Sequence, residues 1–430
     1  MERLSEHKPV GGLRGISRKT FLALSVRNFR LFFIGQSISQ IGNWLTSVAA
    51  ILLVLHRTHS GLAVGILTAC QFGPILVLGP WAGLLADRKD KRTILLVTQA
   101  LEMLQSLALA ALAFLPNAPL PAFYAVALAG GIMFAFDTPA RRAFVAELVP
   151  PEQIHNAVTL HSALMTGSRV VGPALAGVLV TTVGFGWAFV VDAVSYLAVL
   201  ECLRRMKPGE LRRPRTTGRS KGQLRAGIAY IGSVPELRVP LIMMTVIGTL
   251  TFNFPVVLPL FIQETLHGGD IAYTLTYSVM SLGSLVAALA AAHRGSVSLS
   301  TIVRTAAVFG LTMFALAAAP NLAVALPMAL ALGAASLMFM TLSTALVQLR
   351  ADPAMRGRVV ALQSMVFLGS TPIGGPLLGA ICDAFGARSG LVVGGAAALA
   401  AAGWGYTHTR RTEELTGDIA LAVDLQPDAA

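Results

Sequence analysis

Twelve apolar runs constrain what this 430-residue chain can fold into. They fall at about 31–55, 62–86, 93–115, 120–140, 157–182, 186–203, 239–262, 271–292, 302–319, 322–348, 358–382 and 389–408. Each is close to the roughly 20 residues an α-helix needs to cross the hydrocarbon of a bilayer. Within hydrocarbon the backbone must satisfy its own donors and acceptors, so repeated runs of this length predict helices. A transmembrane barrel would instead show alternating segments of roughly ten residues, and none appear. Only 13% of the residues are charged, against about 25% in a soluble domain. The expected fold class is an all-α polytopic membrane protein of twelve transmembrane helices in two pseudo-symmetric six-helix bundles.

The charges lie in the connections. An even number of spans places both termini on one side. With that side taken as cytoplasmic, it holds Arg3, Lys8, Arg14, Arg18, Lys19, Arg27 and Arg30, then Arg88, Lys89, Lys91, Arg92, Arg141 and Arg142. It also holds the basic residues of 204–238, whereas the opposite side keeps only Arg57 and Arg388. Such asymmetry predicts a multi-pass protein of the cell (inner or plasma) membrane with both termini cytoplasmic. The net charge of +12 is accounted for by anionic membrane lipids rather than nucleic acid. The first run is long and lacks a small-residue cleavage site, so it is expected to be a retained helix. Cys70, Cys202 and Cys382 are scattered and form neither a disulfide framework nor a metal-binding spacing. No cofactor is expected.

The domain expectation is a cytoplasmic segment 1–29, a six-helix bundle 30–203, a cytoplasmic linker 204–238, a second bundle 239–408 and a disordered tail 409–430. An amphipathic piece is expected at 224–231 of the linker. The halves echo each other: Pro150 to Pro173 and Pro353 to Pro376 are both 23 residues apart, and Gly172-Pro173 matches Gly375-Pro376. Weak internal symmetry of two six-span halves is a transporter signature, with substrate near the midplane between them.

Several polar residues stand inside the spans. Gln36, Gln40, Asn43 and Ser47 share one face of the first, and Thr245, Thr249 and Asn253 one face of the seventh. Such stripes line either a helix–helix contact or a wet cavity. Phe252 and Phe254 would add aromatic surface for an amphiphilic small-molecule substrate. Glu102 in the third span and Asp192 in the sixth are candidates for proton coupling, and Arg169 in the fifth for substrate contact or gating. The plain alternative is an Arg169–Asp192 ion pair or a protonated acid bonded to a neighbour. The glycines of 167–177 and 374–379 let helices approach closely, and Pro173 and Pro376 remove a backbone hydrogen bond. His155 and His161 do not share a helical face.

These residues carry a resemblance. Gly83-x-x-x-Asp87-Arg88-x-x-Lys91-Arg92 resembles the signature loop of the major facilitator superfamily. The run at Gly172-Pro173 resembles its fifth-helix motif of exporters and antiporters. Asn28-Phe29-Arg30-Leu31, Asp137-Thr-Pro139-Ala-Arg141-Arg142 and Arg356-Gly-Arg358-Val are similar to the branch of the enterobactin exporter and macrolide-efflux-like proteins (transmembrane secretion effectors). Asp90 replaces the usual glycine of the loop, Asn43 stands where relatives often carry an acid, and residues 293–295 have lost the acid of the second loop. The resemblance implies a major facilitator fold in which Asp87 meets the start of the eleventh span near Arg356-Gly357, clamped by Arg141 or Arg142. It implies a monomeric secondary transporter exporting small amphiphilic molecules, such as a siderophore or macrolide, in exchange for protons.

Three rivals are weighed. An importer or facilitator would share the fold, and a non-transporting sensor would keep it without alternation. A membrane enzyme is disfavoured because neither His-Glu-x-x-His nor Gly-x-Ser-x-Gly occurs, and the absence of a phosphate-binding Gly-x-x-x-x-Gly-Lys-Ser/Thr run argues against a directly ATP-driven pump.

Overall fold

A computed structural model describes residues 20–212, 223–292, 297–353 and 355–424. Among the described residues all regular structure is helical, and twelve helices are long and apolar enough to cross a membrane. In order these spans are Arg27–Thr58, Gly61–Arg88, Lys91–Phe114, Leu120–Glu147, Pro151–Val183 and Phe185–Arg204. Glu236–Thr265, Asp270–Ala291, Leu299–Ala317, Leu322–Arg350, Arg356–Phe385 and Ala387–Thr409 complete the set.

The chain pairs its spans by a rule that repeats with a shift of six. The second packs on the fourth as the eighth does on the tenth; the first packs on the sixth as the seventh does on the twelfth. The third meets the fourth and sixth as the ninth meets the tenth and twelfth. The halves are joined chiefly by the second span on the eleventh and the fifth on the eighth. The same corner closes both halves: Gly184 before the sixth span has φ 89° and Gly386 before the twelfth has φ 85°. With ψ near 170° and 156°, this is backbone that only glycine adopts without strain.

Glycine also sets how closely the halves approach. A Cβ on Gly65 would lie 2.6 Å from the Gly375 carbonyl oxygen, and Gly61 and Gly379 meet in the same way one turn further out. The fifth span presents Gly172 to the Trp44 side chain and Gly177 to Thr274 of the eighth. Both glycine-proline runs are thus packing surfaces.

Two elements differ from the apolar pattern. The fourth span continues past residue 140 to Glu147, because Asp137 and Arg141 pair one turn apart and need not leave the helix. The seventh is broken into Pro235–Leu250 and Phe254–Leu260, followed by a π-type turn Phe261–Thr265. Pro255 at the start of the second piece has no N–H to return to the preceding turn. Asn253 Nδ2 donates to the Thr249 carbonyl at 2.7 Å, taking up part of the freed hydrogen bonding, and Thr251 Oγ1 ties the break to the Gly394 carbonyl of the twelfth span at 2.9 Å.

Within the linker a helix Gln223–Ser233 forms. Its Tyr230 hydroxyl accepts from the Asp352 amide at 3.1 Å, and Tyr230 and Ile231 rest on Leu237, Val347 and Val359. The last helix runs on to Asp424, beyond residue 409 where the sequence suggests a tail. Residues 1–19, 213–222, 293–296, 354 and 425–430 lie outside the described set, and with them the amino-terminal cations up to Lys19 and the 293–295 remnant.

Candidate functional site

The polar face of the third span turns into the amino-terminal half. Thr98, Gln99, Glu102 and Ser106 are all buried there. Thr98 Oγ1 donates to Asp137 Oδ1 at 3.0 Å, and Gln99 Nε2 donates to the same oxygen at 2.9 Å and to Glu102 Oε2 at 3.1 Å. Arg141 Nε closes on Asp137 Oδ2 at 2.6 Å. Asp192 is held differently, by hydroxyls of three spans: Thr46 at 2.6 Å, Ser106 at 2.7 Å and Ser195 at 3.3 Å. Hydrogen bonds of this kind offset the cost of burying a carboxylate. Glu102 is less well served, since its Oε1 is buried and has no hydrogen-bond partner.

Both carboxylates line one cavity of about 90 Å³, together with Asn43, Ser47, Gln71, Gln105, Phe72, Phe134 and Tyr196. Five spans of the same half therefore contribute to it. Among the described residues, buried acidic and basic side chains are confined to that half. They are Glu102, Asp137, Arg141, Glu147, His161 and Asp192, whereas the buried polar groups described after residue 236 are serines, threonines, Asn253 and Gln363.

The other expected cavity residues are distributed less simply. Asn43 and Ser47 line the cavity, but Gln40 is buried outside its lining, and Gln36 is fully buried with neither amide atom bonded. Arg169 does not pair with Asp192. Its guanidinium lies 5.4 Å over the Trp44 ring, which in turn sits 5.9 Å from Tyr277 of the eighth span. Thr249 bonds back to the Thr245 carbonyl at 2.7 Å, and Asn253 is buried. Phe252 packs among Phe254, Phe309 and Phe367 with ring centroids 5.9, 5.1 and 5.0 Å away. Asn253 and Phe252 thus belong to the break in the seventh span, and Phe252 is packed into a cluster rather than presented on an open aromatic wall. His161 is buried with its ring 5.8 Å from Phe32.

The signature loop is anchored within its own half. Lys91 pairs with buried Glu147 at 2.6 Å, and Arg92 donates to the carbonyls of Leu203 at 2.8 Å and Arg204 at 3.1 Å, capping the sixth span. Asp90 has φ −63°, so the loop needs no glycine there. Asp87, Arg88, Arg142 and Arg356 are exposed and Gly83 is half-buried. Of the two expected clamps for Asp87, Arg141 is buried and paired with Asp137 in its own helix, and Arg142 is exposed. Sequence reading missed Glu147, which is far from Lys91 along the chain and carries no local signal of the pair.

At the opposite end of the second span a carboxylate joins the halves. Asp383, ending the eleventh span, accepts from Ser60 Oγ at 2.7 Å and from the amides of Gly61 at 2.5 Å and Leu62 at 3.0 Å. These amides open the second span, where unsatisfied N–H groups favour an anion. Nearby, Asp270 of the eighth span meets His56 of the first at 2.9 Å and Gln263 at 2.7 Å. Asp383 was not singled out because it lies one residue beyond an apolar run.

Twelve spans paired by a six-span repeat are those of a multi-pass membrane protein, and similarity to known proteins sets it among the transporters of the major facilitator superfamily. Residues 18–420 match the family described as transmembrane secretion effector, and the chain belongs to it. The staphyloferrin A transporter of Staphylococcus aureus is 28% identical over 60% of this chain and 66% of its own length. Macrolide efflux protein A of Streptococcus pyogenes is 23% identical over 85% of this chain and 92% of its own. The enterobactin exporter EntS of Shigella flexneri is 26% identical over 40% and 42%. Among solved structures, the nucleoside transporter NupG has a TM-score of 0.71 at 13% identity, covering 90% of this chain and 99% of that one. The D-xylose–proton symporter has a TM-score of 0.69 at 16% identity, covering 91% and 97%.

Proposed function

We propose that the protein exports small amphiphilic molecules across the cell membrane by alternating access, in exchange for protons. The observation that carries this reading is the shared cavity of Glu102 and Asp192. An intramembrane carboxylate is costly and is retained where an ion or substrate passes. Two of them on one polar cavity form a place where protons can be taken up and released. Arg169, on the face where the two halves meet at Trp44 and Tyr277, is the candidate to meet cargo or gate its path, and Asn43 and Thr249 are further candidates for cargo contact.

The charge asymmetry supports an orientation with the termini and the signature loop in the cytoplasm. On that orientation Asp383 closes the outer end, and Asp87 with Arg356 serves as the inner latch that forms when the outer one opens. Gly83, Arg88, Lys91, Arg92, Asp137, Arg141 and Arg142 stiffen the inner collar, and Gly172-Pro173 forms the pivot of the fifth span. The names of the macrolide, enterobactin and staphyloferrin relatives support a drug or siderophore cargo, carried by a monomer in contact with membrane lipids.

The test is reconstitution in proteoliposomes with an imposed pH gradient and a panel of labelled compounds. Gradient-driven accumulation of a compound, with lumen pH moving in exchange, is the expected result. Glu102→Gln or Asp192→Asn should uncouple the two fluxes. Normal coupling in both variants removes these carboxylates from the proton path, and cargo moving along with the protons makes the protein an importer.

A further inference from the structure

We propose that the cavity in the amino-terminal half receives a small organic ammonium group carried by the cargo. The inference rests on the transport reading and narrows its substrate class. Glu102 is 3% exposed and lines the cavity, and its Oε1 has no hydrogen-bond partner. A buried acceptor left unpaired costs free energy that a donor from a ligand would recover. Asp192 is already bonded by the hydroxyls of Thr46, Ser106 and Ser195, so it supplies charge while Glu102 supplies the open lone pair. The surroundings do not neutralise them. Facing Glu102 are Asp137 and Arg141 of the fourth span and Asp192 and Tyr196 of the sixth, and the one cation among these is held by Asp137. The vacant electrostatic role is that of a cation with hydrogens to donate.

The lining favours an ammonium over a bare metal ion. Phe72 and Phe134 stand edge to face at 6.2 Å, beside the Asn43, Gln71 and Gln105 amides. Aromatic rings suit the diffuse charge and alkyl substituents of an organic cation. Among the described residues no three His, Cys, Asp or Glu side chains are grouped to hold a metal. About 90 Å³ accommodates an ammonium with its first carbons and no complete drug, so the remainder of the cargo lies outside the cavity. Where a carboxyl is protonated, ammonium entry releases that proton to water and leaves a carboxylate–ammonium pair, with no other bond changed. A purely anionic cargo has no counterpart here.

The experiment is calorimetric titration of the purified full chain at pH 8 with propylammonium chloride, sodium chloride and 1-propanol in parallel. Propylammonium should bind and the other two should not. Glu102→Gln should weaken binding by at least about tenfold, since a buried charge loses its partner, and Glu102→Asp should restore part of it. A cavity-filling Ser47→Phe variant that elutes and unfolds like the parent should also lose binding. Sodium binding as tightly as propylammonium, binding unchanged in Glu102→Gln, or no propylammonium binding each overturns the proposal. If proteoliposomes still move an uncharged or anionic compound while propylammonium fails to bind, the transport reading stands and the ammonium site falls.

Discussion

Asp383 and Gly61 face each other across the two halves of the molecule, the carboxylate accepting the Gly61 amide at 2.5 Å. Ser60 and Leu62 share the same carboxylate, so the start of the second span is capped by the end of the eleventh. The resemblance to the superfamily implies the converse at the other face, Asp87 of the second span against the start of the eleventh. Both arrangements rest on one piece of physics, an anion against the unsatisfied amides of a helix start.

Asp383→Asn keeps the shape of the cap and removes its charge, a loss of about 1 kcal/mol. Tyr277 is buried where the first and eighth spans meet. In a background with Cys70, Cys202 and Cys382 replaced, a Tyr277→Cys probe should react with a membrane-impermeant maleimide about fivefold faster once Asp383 is neutralised. Unchanged labelling would show that the cap does not hold that end shut.

Gly65 and Gly375 touch, yet they should respond differently to alanine. A Cβ on Gly65 meets the Gly375 carbonyl at 2.6 Å, whereas one on Gly375 finds Gly65 at an ordinary 3.4 Å. Gly65→Ala should cost about 1–3 kcal/mol in thermal unfolding through overpacking, and Gly375→Ala much less. Equal effects would mean that the halves do not approach as described.

Lys91 and Glu147 form a buried pair, 11% and 2% exposed. Lys91→Met strands the Glu147 carboxylate and should destabilise by roughly 3 kcal/mol, with Lys91→Met/Glu147→Leu recovering most of it. Chemical unfolding of the parent and both variants decides this, and a double variant as unstable as the single would dismiss the pair.

Asp87→Asn should lower transport several-fold while leaving cargo affinity within about twofold, because a gate changes the rate of exchange between states and not the cavity. Parallel flux and equilibrium-binding measurements separate the two. A matching loss of affinity would move Asp87 from gate to binding site.

The spans are legible in the sequence because a bilayer leaves the backbone a single economical solution there, and Glu102 and Asp192 because acids inside such runs are conspicuous. Partnership is another matter. The hydroxyls on Asp192 come from Thr46, Ser106 and Ser195 on three spans, and no local spacing brings these together. Glu147 and Asp383 look like ordinary loop acids until the fold places Lys91 and Gly61 against them. Asn253 and Phe252 sit at helical spacing with polar and aromatic neighbours, yet Pro255 interrupts the helix there, so periodicity misassigns what they face.

The confinement of buried acids and bases to the first six spans has a consequence for how such a protein can diversify. Among the described residues the first half holds the buried acids and bases, while the second, with hydroxyls and amides as its buried polar groups, offers a neutral wall whose shape can drift without touching them. Chimaeras that keep residues up to 204 and take their second half from a relative should keep the coupling ion and inherit a new cargo preference.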